Sequence, residues 1–420
     1  MEHTGNSTGS LDCARDDVKI VRARLVVPMA GDPIENGAVA IEGNKITEVG
    51  CFEEVKGSHP GDVVDLGDQI LLPGLINAHC HLDYTLLRDK IPPQKLFTDW
   101  IRAINAEKAK LTAKDYIASI KEGFAEAKRF GTTTIVNLTA FPELIAEIEE
   151  PIRTWWFGEL IDVQNPDQAG IIVNRAVESL KSAKHWGLAP HAPFTASANL
   201  YARCEEIARR EKVLLTTHLA ESREEMQMSF DLGGPLADFL DSLGANLFEL
   251  NGVTPVEHML QTCRFEAQWI VAHLNSVLDG DLELLARSMT KCHVVHCPRS
   301  HTYFGHEPFR FKLVEELGFN ICLGTDSLAS NSSLSLFGEM RELLRKEPWI
   351  SPREVLAMAT VNGACAIGQG DSLGKISPGF RADLIAIPSA ATGRNAIDAI
   401  VAFEGTGPWM MVDGEISSFR

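Results

Sequence analysis

Between about residues 69 and 370 the apolar positions fall into two alternating patterns. Short apolar runs recur in the order GLINAHCH, TTTIVNL, TWWFGELI, WGLAPHAP, LLTTHLAE, WIVAHLN, HVVHCP and NICLGTDS. Their length and their flanking polar and turn residues predict strands. Between them lie longer segments, such as AKDYIASIKEGFAEAKRF and LYARCEEIARREK, whose apolar residues recur three and four apart. That spacing places them on one face of a helix. Ser351, Pro352 and Glu354 form an N-cap, a first-turn proline and the carboxylate of a capping box ahead of VLAMATVNGACAIG, predicting a helix start.

The two ends of the chain follow a different pattern. VKIVRARLVVP with GAVAIEGNKITEVG at the front, and ADLIAIP with AIVAFEGTGPWMMVDGEI at the back, alternate and carry Gly, Asn and Asp turns, which predicts short strands. The expected fold is α/β: a (β/α)8 TIM barrel over 69–370, with a small β-sandwich side domain built from 18–68 and 371–420. Residues 1–17 are expected to be a disordered tail. A doubly wound open sheet is the rival, but no GxGxxG follows the first strand.

Polar residues crowd the C-terminal ends of these runs, where a barrel builds its active site. His79 and His81 are two apart on the first candidate strand, so alternation turns both imidazoles the same way and Cys80 the other. His218 closes the fifth run, His273 the sixth and Asp326 the eighth. Imidazoles plus one carboxylate form a typical first shell for Zn²⁺ or Fe²⁺ with a position left open. Glu221, three residues after His218, suits proton transfer to and from water beside such an ion. Cys80 and Cys297 read as packing residues, and Trp155 to Phe157 as barrel-wall filling.

Composition narrows the partners. A net charge of −18 argues against nucleic-acid phosphates or an anionic membrane surface, both of which attract basic patches. Nine cysteines with no CxxC pair point to free thiols in a reducing compartment, taken as the cytoplasm. The first residues, MEHTGNSTGSLDCARDD, lack the apolar core of a signal peptide, and no run approaches the roughly 18 apolar residues of a membrane span.

Taken together, LPGLINAHCHLDYTLLRD, THLAES, VAHLN, HCPRSH and GTDSLASNSSLSL resemble the amidohydrolase superfamily. The likeness is to its aminohydrolase and chlorohydrolase branch, which includes S-adenosylhomocysteine, guanine and cytosine deaminases. It covers nearly the whole chain, including GKISPGFRADLIAI. The resemblance implies that His79, His81, His218 and Asp326 bind one divalent metal ion, usually zinc and sometimes iron. It implies that Glu221 shuttles protons and that His273, with Asp326, orients the attacking water. Members with two metals bridge them by a modified lysine on the fourth strand, and WGLAPHAP has none.

The implied reaction is hydrolytic deamination of an amino-substituted heterocycle, a purine, nucleoside or related metabolite, with release of ammonia. Triazine-type dechlorination or cyclic amide hydrolysis at the same site is the alternative, and a non-catalytic relative the third reading. His191 matches a substrate-contacting histidine, and Glu107 stands near where nucleoside-accepting members place a ribose-binding glutamate. Arg299 is a candidate for an anionic substrate group or for holding a neighbouring carboxylate. His301 stands near the mouth where relatives commonly have Asn. The resemblance also points to a homodimer.

Overall fold

The computed structural model describes residues 18–245, 252–288 and 292–417; the tail expected at 1–17 lies outside the described residues. Five strands come from the front of the chain: β1 (Lys19–Val26), β2 (Ile34–Glu42), β3 (Lys45–Cys51), β4 (Asp62–Asp65) and β5 (Gln69–Pro73). The eight apolar runs form β6 (Leu75–Cys80), β7 (Thr132–Thr139), β8 (Arg153–Leu160), β9 (Trp186–Pro190), β10 (Leu214–Leu219), β11 (Trp269–His273), β12 (Cys292–His296) and β13 (Asn320–Leu323). Three more, β14 (Leu384–Pro388), β15 (Trp409–Val412) and β16 (Glu415–Ile416), follow at the back.

Strands β6 to β13 pair in chain order, every ladder parallel. The two outer strands also meet. A parallel bridge joins Cys80 to Asp326, and the N–H groups of Thr325 and Asp326 donate to the His79 carbonyl at 3.0 and 3.1 Å. The sheet is thus closed into a (β/α)8 barrel, which leaves no edge to cover. Glycine is required at the seam: a Cβ at Gly324 would lie 2.8 Å from both the His79 Cβ and the His79 carbonyl oxygen.

Alternation along the strands sorts two cores. Ile76, Val136, Trp155, Phe157, Ile270 and Val295 pack together in one cluster. Their neighbours one residue away, including Ile135, Trp156, Val271 and Val294, belong to a second cluster shared with the helices. Those helices include Ala113–Arg129 and Ala198–Glu211, as the three-and-four spacing predicts. The helix Pro352–Met358 begins at the expected capping box, with Ser351 Oγ accepting from Glu354 N at 3.2 Å and the Glu354 carboxylate from Ser351 N at 2.8 Å.

The chain ends meet in one sheet, in the order β16-β15-β14-β5-β1-β2-β3 with β4 also on β1. Where the sequence suggests a small sandwich, all eight strands are continuous, because β5 pairs β1 on one side and β14 on the other. Val21, Val39, Ile41, Leu71, Leu384 and Met411 form its apolar core. At the base of the barrel, Arg153 on β8 is clamped to this sheet. It donates to Asp383 Oδ2 at 3.1 Å and pairs with Asp413 Oδ1 at 2.6 Å, and the Arg153 and Asp383 side chains are each only 4% exposed.

Removing one partner of a buried ion pair strands the other charge. Arg153→Met is therefore expected to destabilise the protein by about 3–5 kcal/mol, read from urea unfolding monitored by tryptophan fluorescence.

Candidate active site

Five side chains converge where the strands of the barrel end. His79 and His81 have ring centroids 5.0 Å apart, His79 and His218 also 5.0 Å, and His79 and His273 5.5 Å. His81 Nε2 lies 3.2 Å from His218 Nε2. Asp326 Oδ1 is 3.9 Å from Nε2 of both His79 and His81. All of these residues are buried. The ligand atoms of His79, His81 and Asp326 lie within 4.8 Å of one another, and so do those of His79, His218 and His273.

Backbone geometry aims these groups. His273 and Asp326 stand at the ends of their strands with φ of 80° and 55°, and Ala220, just before Glu221, has φ of 51°. Such left-handed conformations in non-glycine residues cost energy and persist where surrounding contacts impose them. At Asp326 the contacts are explicit: Ser300 Oγ and Ser330 Oγ donate to Oδ2 at 2.6 and 2.9 Å, and Ser327 N donates to Oδ1 at 2.7 Å. At Glu221, the Glu225 carboxylate accepts from the N–H groups of Ala220 and Glu221 at 3.1 and 2.7 Å.

Burial sets the charge states. It pushes His79 down to about 3, assisted by His218, and lowers His81 and His218 as well, so the imidazoles stay neutral with lone pairs to offer. Burial opposes ionisation of Asp326 too. The adjoining imidazoles and the Ser300 hydroxyl outweigh it and hold Asp326 well below the usual carboxylate range. Glu221 is pushed far the other way by burial and by the nearby carboxylates of Asp326, Glu225 and Glu159. Its Oε1 is 3.8 Å from His273 Nε2.

A cavity of about 380 Å³ opens onto this cluster, lined by His81, His191, His218, Glu221, His273 and Asp326 among others. That volume suits a small molecule. Its outer wall is largely apolar, with Trp100, Ile104, Phe194, Phe239 and Leu240. His191 lies on the wall, tilted against His218 at 4.8 Å and bonded through Nδ1 to Thr195 Oγ1 at 2.6 Å.

Three expected substrate contacts stand elsewhere. Glu107 is not on the cavity wall: it lies on the helix Phe97–Lys108 and pairs with Lys110 at 2.6 Å, while Ile104, Asn105 and Lys108 of that helix line the cavity. Helical spacing separates position 107 from that face. Arg299 is also off the wall. Its guanidinium Nη1 donates to Ser333 Oγ at 2.7 Å, and it is its backbone N–H that donates to the buried Glu339, at 2.9 Å. His301 lines a separate cavity of about 120 Å³ with His296 and His306, and donates from Nδ1 to Asn275 Oδ1 at 3.0 Å. Asn275 in turn donates to the Glu221 carbonyl at 3.2 Å, so His301 reaches the site through two hydrogen bonds.

Sequence reasoning missed Glu159, Ser330 and Glu225. The stripe Trp155, Phe157, Glu159 on β8 carries the one clue, an acidic residue where an inward apolar stripe reaches the strand end.

The donor set fits one divalent ion. His79 Nδ1 and Nε2 and His273 Nε2 are buried with no hydrogen-bond partner among the described residues, a costly state that a cation relieves. His218 Nδ1 bonds the His191 carbonyl at 2.9 Å, which leaves its Nε2 lone pair for the ion. The fold and these residues define a barrel hydrolase with a buried imidazole and carboxylate centre. Residues 70–414 match the Amidohydrolase family. The 5-methylthioadenosine/S-adenosylhomocysteine deaminase of Syntrophobacter fumaroxidans is 32% identical over 399 residues, covering 89% of this chain and 85% of that protein. The 5'-deoxyadenosine deaminase of Methanosarcina mazei is 32% identical over 384 residues, 86% of this chain and 81% of its own. The Helicobacter pylori aminofutalosine deaminase in complex with methylthio-coformycin superimposes with a TM-score of 0.85 at 20% identity, over 95% of this chain and 99% of that one. The chain belongs to the amidohydrolase family.

A ligating imidazole must be neutral, and protons compete for one with the ordinary pKa of about 6.5. Because burial holds these imidazoles neutral into acid, ion affinity measured by chelator competition is expected to stay flat from pH 8 to about pH 6. Asp326→Ala is expected to lose the ion, read from the metal content of the purified protein.

Proposed function

We propose that the protein is a metal-dependent hydrolytic deaminase of an amino-substituted heterocycle of the nucleoside type. The observation that carries this reading is that the ligand atoms of His79, His81 and Asp326 lie buried within 4.8 Å of one another, His218 Nε2 stands 3.2 Å from His81 Nε2, and Glu221 is beside His273 at the same cavity. The deaminase names of the similar proteins support the substrate class. His79, His81, His218 and Asp326 would hold the ion, zinc by preference because imidazole and carboxylate donors suit it, with ferrous iron the alternative. When bound, the ion would supply Lewis acidity, which makes water a far stronger acid and hydroxide available near neutral pH.

This chain's own residues do the rest. Glu221, whose affinity for protons is raised by burial, takes a proton from water and gives it to a ring nitrogen, then takes the proton of the hydroxyl group added to the ring carbon and gives it to the departing amine. His273, with an unpartnered Nε2 opposite Glu221, orients the attacking water or the oxygen that becomes the product carbonyl. Asp326 stays anionic on its serine donors and accepts from that water. His191 and the apolar wall seat the heterocycle, and the surrounding walls exclude bulk water. The free thiols of the described cysteines support a cytoplasmic setting. Among the described residues no helix is long and apolar enough to cross a membrane.

The test is ammonia release by metal-loaded protein from a panel of aminopurine nucleosides, their free bases, aminopyrimidines and chlorinated triazines. Release from the nucleosides is expected; chloride release without ammonia would replace this reading with the dechlorination chemistry. Glu221→Gln is expected to lower turnover by about 10²- to 10⁴-fold with metal content unchanged.

A further inference from the structure

We infer that Glu159 is a positioning residue for the metal centre: its carboxylate accepts a hydrogen bond from the Nδ1–H of His81 and so fixes that ring with Nε2 turned to the ion. The inference rests on the proposed ligand set, though not on the reaction. Glu159 continues the inward stripe of Trp155 and Phe157 to the end of β8, where alternation aims it into the barrel mouth. Its side chain is 6% exposed and lines the substrate cavity. Its Oε1 is buried with no hydrogen-bond partner among the described residues. A carboxylate withdrawn from water without a donor is costly, so this oxygen has one to find.

The facing donor is His81 Nδ1, 3.8 Å from Oε1. The other nitrogen of that ring, Nε2, points at His218 Nε2 at 3.2 Å and at Asp326 at 3.9 Å. A neutral imidazole that offers its Nε2 lone pair must carry its proton on Nδ1. His218 has the same arrangement already made, its Nδ1 bonded to the His191 carbonyl at 2.9 Å. Glu159 does for His81 what that carbonyl does for His218. A small movement closing 3.8 Å to hydrogen-bond length completes a carboxylate, histidine and metal relay, which fixes the tautomer and raises ligand basicity.

The ligand atoms of His81, Glu159 and His218 are also close enough to share an ion, so the experiment must separate a positioning role from a ligating one. Metal-free protein is titrated with Zn²⁺ against a competing chelator, for the wild type, Glu159→Gln and Glu159→Ala. Expected are one ion per chain in all three, an affinity about 10- to 100-fold weaker in Glu159→Ala, and an intermediate value in Glu159→Gln, which keeps a neutral acceptor oxygen. The visible spectrum of the Co²⁺-loaded variants is expected to shift, while the metal-free variants melt no lower than the wild type. Unchanged Zn²⁺ affinity in both variants would overturn the inference and leave Glu159 as a cavity-wall residue only. Two ions in the wild type and one in the variants would overturn it by making Glu159 a ligand. No substrate enters the titration, so its outcome is independent of whether the protein is a deaminase.

Discussion

Closure of the barrel between its first and last strands is the contact on which the site depends. The His79 carbonyl receives both the Thr325 and Asp326 N–H groups, and Asn77, fully buried, donates from Nδ2 to Thr325 Oγ1 at 2.8 Å across 248 positions of sequence. The Asn77 Oδ1 accepts from Thr325 N at 3.2 Å. These bonds set the register in which a carboxylate from beyond the end of β13 faces the imidazoles at the end of β6. Gly324 lets the two backbones approach, and the Asp326 backbone pays for its position with a left-handed φ.

Within that frame, one physical factor produces opposite results in neighbouring groups. Desolvation disfavours charge, so it keeps His79, His81 and His218 neutral and raises the proton affinity of Glu221. Asp326 escapes because the adjoining imidazoles favour its anion and hydrogen-bond donors, Ser300 among them, are aimed at it. Among the described residues Glu221 has no such set on its carboxylate; the N–H groups of Ala220 and of Glu221 itself are spent on Glu225, which holds the backbone on which Glu221 stands. Two acids in one cavity are thereby given different proton affinities, the division acid and base catalysis needs.

The support extends beyond the cavity wall. The segment after β12 places Ser300 on Asp326 and His301 on Asn275, which reaches the Glu221 backbone. One short helix, Pro298–Phe304, thus steadies both the Asp326 carboxylate and, through Asn275, the backbone that carries Glu221. Arg299 on the same helix faces the opposite way, toward Ser333 and Glu339, and ties that helix to the segment after β13.

The sequence by itself determined the strands, the helix spacing and the capping box at Ser351, because these depend on neighbours a few residues away. It also determined which residues could form the centre, since His79 and His81 are placed together by strand alternation alone. What only the tertiary structure decided is which side chains meet across long separations. Glu107 missed the cavity because the pitch of its helix turns Asn105 and Lys108 inward instead. His301 and Arg299 proved to act on other protein groups, and Glu159, an unremarked acid in TWWFGELI, came to face His81. Local pattern fixes where a side chain leaves the backbone; the closed barrel, through registers between strands far apart in the chain, fixes what it touches.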